Sequence, residues 1–329
     1  EAMAARVVGE AEEIIGLASL RAVVGAAEQI REVVGFAAIR RALATPPGSM
    51  SQWLPMDALR HWFSGSDVPR RPDLLQLTLE IRPDGMPYVH AVVVECKFAQ
   101  QNPVHVAEAT QQVQDGLRHL TQLLAPQCHE LRRLGFDRRF WWAQLHRAMT
   151  SRSVVNLPEQ ERQDLDHALE KLAEGQFAIG WQGAIFTFWT NVSDSQPVVS
   201  ALALPAGTVE PPFIVPDGFA IQHLKLGYTG LSALFAETHP QPLLTMSGPT
   251  ISLQPARKRT VQREQAAHAT AQAAPAAPLA LPIAQPAASA AAAPEPTAAG
   301  NTQPDITDSA IQPVLTVDPF PLPEKIRIG

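Results

Sequence analysis

Between Asp73 and Ile81 the chain reads "DLLQLTLEI", in which Leu75, Leu77, Leu79 and Ile81 alternate with Gln76, Thr78 and Glu80. A period of two predicts a strand with one face buried. "RPDG" follows as a turn. "YVHAVVVECKF" (88–98) is then apolar at successive positions, which predicts a strand covered on both faces and central in its sheet. With the turn centred near Asp84, antiparallel pairing sets Asp73 across from Glu95; Pro87 is the residue that would bend the second strand and shift this register.

Elsewhere the apolar period is three to four. The stretch "EAEEIIGLASLRAVVGAAEQIREVVGFAAIRRALAT" (10–45) predicts one or two helices, ended by the paired prolines of "TPPGS". A short helix is expected over Met56 to Phe63. From Asn102, a cap ahead of Pro103, Val106, Ala109, Val113, Leu117, Leu120 and Leu124 mark a helix that packs back on the sheet. Another helix is expected over 157–174, and strands over "FAIGWQGAIFTFW" and "PVVSALALP". This order predicts an α/β sandwich with a central mixed β-sheet flanked by helices.

The pattern breaks near residue 260. Residues 256–305 are dominated by Ala, Pro, Gln and Thr, a composition that cannot bury enough varied apolar surface to fold, so a disordered, flexible linker is expected. The division that follows is a domain over 1–190, further strands or a docking extension over 191–255, the linker, and the opening of another domain over 306–329. The chain reads as a piece of a longer protein. Its two cysteines, Cys96 and Cys128, cannot form a disulfide framework, and neither a secretory signal nor a bilayer-spanning stretch is present, so a cytoplasmic protein with no membrane partner is expected. A net charge of -6 argues against generic nucleic-acid binding. Basic residues nevertheless cluster at Arg70 and Arg71, in "LRRLGFDRRF" (131–140) and in "ARKR" (256–259).

The chemistry worth pursuing lies in "VVVECKF". Side chains two apart share a strand face, so Glu95 and Lys97 point the same way, toward the Asp73 of the neighbouring strand. Two close carboxylates repel and are costly to bury without a cation. A hard divalent ion removes that cost: Asp73 and Glu95 make part of a shell for Mg²⁺, or Mn²⁺ in its place, with the carbonyl of Cys96 as a further ligand and water and phosphate completing it. Lys97 then orients an attacking water and offsets charge on a scissile phosphate. The plainer readings are a strand-start carboxylate at Asp73 and an edge-exposed ion pair at Glu95 and Lys97. The Cys96 side chain faces the other way, as a buried apolar cysteine rather than a nucleophile. His90 and His105 lack the close partners of a zinc site. The aromatic run "RRFWWAQLHR" (138–147) reads as core packing, with Arg138, Arg139 and Arg147 in water.

"PD" at Pro72 and Asp73, followed after a hairpin by "ECK" at Glu95 to Lys97, resembles the PD-(D/E)XK nuclease superfamily, and the order of elements is similar from about Glu10 to Trp189. The resemblance implies a restriction-endonuclease-like sandwich, hydrolysis of DNA phosphodiester bonds, Asp73 and Glu95 as metal ligands and Lys97 as the catalytic lysine. A glutamine of the following helix, Gln111 or Gln112, takes a supporting role, with Gln112 the choice for the site. The tyrosine customary four positions later in the RecB-like branch is Gly116 here, which argues against that branch. An acid of the first helix, Glu10, Glu12 or Glu13, is expected to assist the metal. The C-terminal "FPLPEKIRIG" resembles the approach to a HerA/FtsK-type translocase, as in phosphorothioation-dependent anti-phage restriction systems. That resemblance implies as partners DNA and a defence-complex protein or an ATPase domain in cis; a further copy of the chain, as a homo-oligomer, is left open beside them. The alternative is a catalytically silent nuclease-like module that binds DNA or docks a partner.

Overall fold

The computed structural model of the protein describes residues 2–15, 27–45, 49–63, 70–127, 135–151 and 158–253. The chain divides into two units, Glu1–Thr260 and Val261–Gly329. The second, with the linker and terminal segment expected there, lies outside the described residues, as do Cys128, the basic run 256–259 and the start of the run at 131–134.

Helices α1 (Ala2–Ile15) and α2 (Ala27–Ala42) come first. Strand β1 (Met50–Pro55) follows, with no matching signal in the apolar pattern, because its six residues are recruited by pairing with the next strand. The helix expected over Met56 to Phe63 is reduced to turns and a 3₁₀ segment, Arg60–Phe63. The Met56 N–H is already held by Asp73 O (2.9 Å), so the chain is still tied to the sheet where that helix would have begun.

Strands β2 (Leu74–Ile81) and β3 (Pro87–Ala99) form the expected hairpin, with Leu74 opposite Val94 and Ile81 opposite Pro87. Pro87 therefore sits in the ladder without shifting it. β3 covers the strand expected over 88–98 and ends at Ala99, up to which β4 (Ala178–Trp189) pairs with it in parallel. Parallel neighbours need a long crossover. It is made by α3 (Pro103–Leu123), α4 (Gly135–Thr150) and α5 (Glu159–Ala173). The Asn102 side chain accepts the Val104 N–H at 3.0 Å, and Pro103 fills the first turn, where no N–H is needed. Ala109, Val113, Leu117 and Leu120 are fully buried against the sheet. In α4, Arg138 is not in water as expected. It is buried and donates to Ala125 O at 3.4 Å, beside Trp142 Nε1, which donates to the same carbonyl at 2.9 Å.

Residues after 190 complete the sheet. β5 (Val198–Ala203), β6 (Ala220–Gly227) and β7 (Ile251–Leu253) join it, with α6 (Tyr228–Ala236) between the last two. The seven-stranded mixed sheet has the order β1-β2-β3-β4-β6-β5, and β7 pairs with the start of β4. Strand alternation sends Leu75, Leu77, Val93 and Ile185 to one face, beneath α3, and Leu74, Val94 and Phe186 to the other, beneath α2 and α6. The fold is thus α/β, a mixed sheet with a core on each face. Two arginines fasten its N-terminal helices to α6: Arg6 donates to Phe235 O (2.7 Å) and Ala236 O (2.6 Å), and buried Arg41 donates to Leu234 O (3.0 Å) and Glu237 O. No helix among the described residues is long and apolar enough to cross a membrane.

Candidate active site

The hairpin register places Asp73, one residue ahead of β2, against Glu95 of β3. Their contact is direct: the Asp73 N–H donates to Glu95 Oε2 at 3.1 Å, and Asp73 Oδ2 accepts the Cys96 N–H at 2.8 Å. Lys97 Nζ donates to Glu95 Oε1 at 2.8 Å and to Gln112 Oε1 at 2.7 Å. Gln112 in turn donates to Arg71 O at 3.1 Å, so α3 locks the lysine in place and ties down the segment leading to Asp73. Gln111, the other glutamine in question, instead donates to Asp115 at 3.0 Å.

The Glu95 side chain is 1% exposed and that of Lys97 20%, so the pair is not an edge-exposed ion pair. Burial pushes the Glu95 carboxyl well above its ordinary range, the charge on Asp73 pushes it further, and Lys97 only partly offsets both. Asp73 is raised as well, first by burial, against the opposing pull of the Cys96 N–H and Lys97. The Cys96 thiol faces the apolar cluster beneath α2 and is pushed well above its usual value by burial, which suits an inert core cysteine.

A cavity of about 370 Å³ opens onto Asp73 and Gln112, and Glu32, Asp57, Arg70 and Arg71 also line it. Arg71 reaches Asp57 at 3.1 Å and Arg70 lies 3.8 Å from Glu108. Glu32, on α2, is raised by burial and by the charges of Asp73 and Asp57. It is the acid that the helices bring to this cavity. The acids expected from the first helix lie elsewhere: Glu10 pairs with Arg40 and Arg41, Glu13 approaches Arg40 at 3.9 Å, and both line a separate cavity beside β1. Nothing in the local sequence distinguishes Glu32 from other helix-surface glutamates; only the packing of α2 on β3 selects it.

The donor set suits a hard divalent cation. Asp73 and Glu95 offer carboxylate oxygens, burial leaves them short of positive charge, and no donor among the described residues is paired with Asp73 Oδ1. Among those residues no group of three or more His, Cys, Asp or Glu side chains is arranged to hold a metal. Mg²⁺ is commonly held by one or two carboxylates with water and phosphate, which is what this pair provides. His90 is bonded to Glu80 at 3.0 Å and His105 lies 3.8 Å from Glu108. Gly116 has a structural reason: a Cβ there would lie 2.9 Å from Pro72 Cγ and 2.9 Å from Val93 Cγ1, so α3 packs too closely for any side chain.

Compared with known protein families, with curated proteins and with solved structures, the chain matches none.

Proposed function

We propose that the protein is a Mg²⁺-dependent DNA phosphodiesterase, with Mn²⁺ as an alternative ion, built on a restriction-endonuclease-like sandwich of the PD-(D/E)XK kind. One observation carries the reading: an aspartate and a glutamate meet at one end of a hairpin, with a lysine two residues on held 2.8 Å from the glutamate and 2.7 Å from a glutamine of the next helix. Asp73 and Glu95 hold the ion. When bound, it neutralises charge on the phosphate and makes a bound water more acidic. Lys97 offsets negative charge that develops as the water oxygen bonds to phosphorus and the bridging P–O bond breaks, the departing sugar oxygen taking a proton. Gln112 keeps the lysine amine on the carboxylate side. By the resemblances in the sequence, the protein serves a phage-defence restriction assembly together with a DNA translocase.

The second reading, a silent module that binds DNA or a partner, is favoured by a different observation. Both oxygens of Glu95 already have protein donors, so the cluster is satisfied as it stands. Cleavage of plasmid and linear DNA in Mg²⁺ or Mn²⁺ separates the two, with wild type beside Asp73→Ala and Lys97→Ala and the folding of each checked by circular dichroism. Cleavage by wild type alone is expected. No cleavage by wild type, with no binding of the ion, would leave the silent module.

A further inference from the structure

On the flank of α3 away from Gln112 lies a third cavity, of about 440 Å³, lined by Val106, Ala107 and Thr110 of α3 together with Trp189 and Lys225. Register connects it to the candidate active site. Lys97 of β3 pairs with Thr187 of β4, and Thr187 pairs with Lys225 of β6, so the two lysines sit at one level of the sheet and on one face. They are two strands apart, on the order of 10 Å at the usual strand spacing.

The cavity differs chemically from the two already described. Those are lined by Glu10 and Glu13 and by Glu32, Asp57 and Asp73, whereas no acidic side chain among the described residues lines this one. Its one charge is Lys225, which is half-buried and has neither an ion pair nor a hydrogen bond among those residues. A lysine without a partner on the wall of a cavity free of acidic side chains attracts an anion. Its neighbour His223 offers none: the ring is buried, bonded to Thr187 at 3.1 Å and held neutral. A second group is also left over. Trp189, 4% exposed, has an indole N–H with no acceptor among the described residues, although buried donors are nearly always paired. An unpartnered lysine beside the indole of Trp189, on the wall of a cavity with no acidic side chain, suits a phosphate oxygen.

We infer that this cavity is a phosphate-binding subsite, with Lys225 supplying the charge and Trp189 a wall, and that it takes a phosphate of the nucleic-acid strand whose scissile bond lies at Asp73, Glu95 and Lys97. It rests on the phosphodiesterase reading only for the identity of the strand. The test is binding, not cleavage: the full chain with fluorescent DNA in EDTA, followed over a range of salt. Lys225→Met is expected to weaken binding and reduce the slope of log K against log salt by about 1, the share of one phosphate contact. Lys171→Met, which removes the same charge where Lys171 is bonded to Gly85 O, is expected to leave the slope unchanged. The indole resonance of Trp189, assigned with Trp189→Phe, is expected to move on adding DNA and not with inorganic phosphate at equal concentration. Equal movement with inorganic phosphate would support the site but overturn the strand as its source. An unchanged slope in Lys225→Met with a stationary indole resonance would overturn the site itself. Failure of wild type to cleave in Mg²⁺ leaves this result intact, so the two readings fail separately.

Discussion

Strands β3 and β4 lie side by side at the centre of the sheet, paired from Tyr88 with Ala178 to Ala99 with Trp189, between the same two layers of helices. Every residue of β4 is buried. At the level where β4 places Ile185 and Thr187, the latter bonded to His223, β3 places Glu95 and Lys97. The position therefore does not demand charge: an aliphatic residue and one hydrogen-bonded hydroxyl fill it next door. Replacing an ion pair by apolar residues is often neutral or stabilising, so stability alone does not account for the charges on β3. They stand beside Asp73, which lines the cavity of about 370 Å³.

Removing the lysine breaks the contrast most sharply. Lys97→Met leaves two buried carboxyls with no cation and is expected to cost about 3–5 kcal/mol in urea unfolding at neutral pH. Thr187→Val, at the paired position of β4, is expected to cost about 1–2 kcal/mol for the hydrogen bond to His223. Equal losses would erase the distinction between the strands.

Next comes pH. Asp73 and Glu95 are raised above 3.8 and 4.5 in the folded chain, which keeps their protons where the unfolded chain has lost them. Their contribution is most favourable below about pH 4 and declines as pH rises through the raised values. Relative to the double variant Asp73→Asn/Glu95→Gln, wild type should gain stability as pH is lowered from about 8 to about 5. A pH-independent difference would mean the carboxyls are unperturbed.

A cation should achieve at neutral pH what protons achieve in acid. Mg²⁺ at a hundredfold excess over its Kd is expected to stabilise wild type by about 2.7 kcal/mol, and Asp73→Asn not at all. Thermal unfolding with and without the ion reads this directly. Gly116→Ala, which pushes α3 off Pro72 and Val93, is expected to cost about 1–3 kcal/mol by overpacking. Gln112→Ala, which removes one of the acceptors holding Lys97, is expected to cost about 1 kcal/mol while slowing cleavage.

What could be read from the sequence was local or set by a single turn. The "RPDG" turn and the two-residue period sufficed to bring Asp73 to Glu95, and the Asn102-Pro103 start sufficed to place α3 and with it Gln112. What escaped depends on distant partners. β1 is a strand because β2 offers it an edge. Arg138 is buried where α4 meets Ala125 O, a carbonyl that also accepts from Trp142. Glu10 and Glu32 are both glutamates of the N-terminal helices, and only the packing sends one to Arg40 and Arg41 and the other to the cavity beside Asp73. Lys225 looks ordinary until two strand registers bring it level with Lys97.

The fastening of α6 by Arg6 and Arg41 carries a consequence for biosynthesis. Arg6 finds its acceptor 229 residues later, at Phe235, and Arg41 finds Leu234 193 residues later. At translation speeds of about 5–20 residues per second, the first helix waits roughly ten to fifty seconds on the ribosome before the carbonyls that fix it exist. Until then Arg6, Arg41 and the flank of α2 that meets α6 are surfaces that a chaperone can hold.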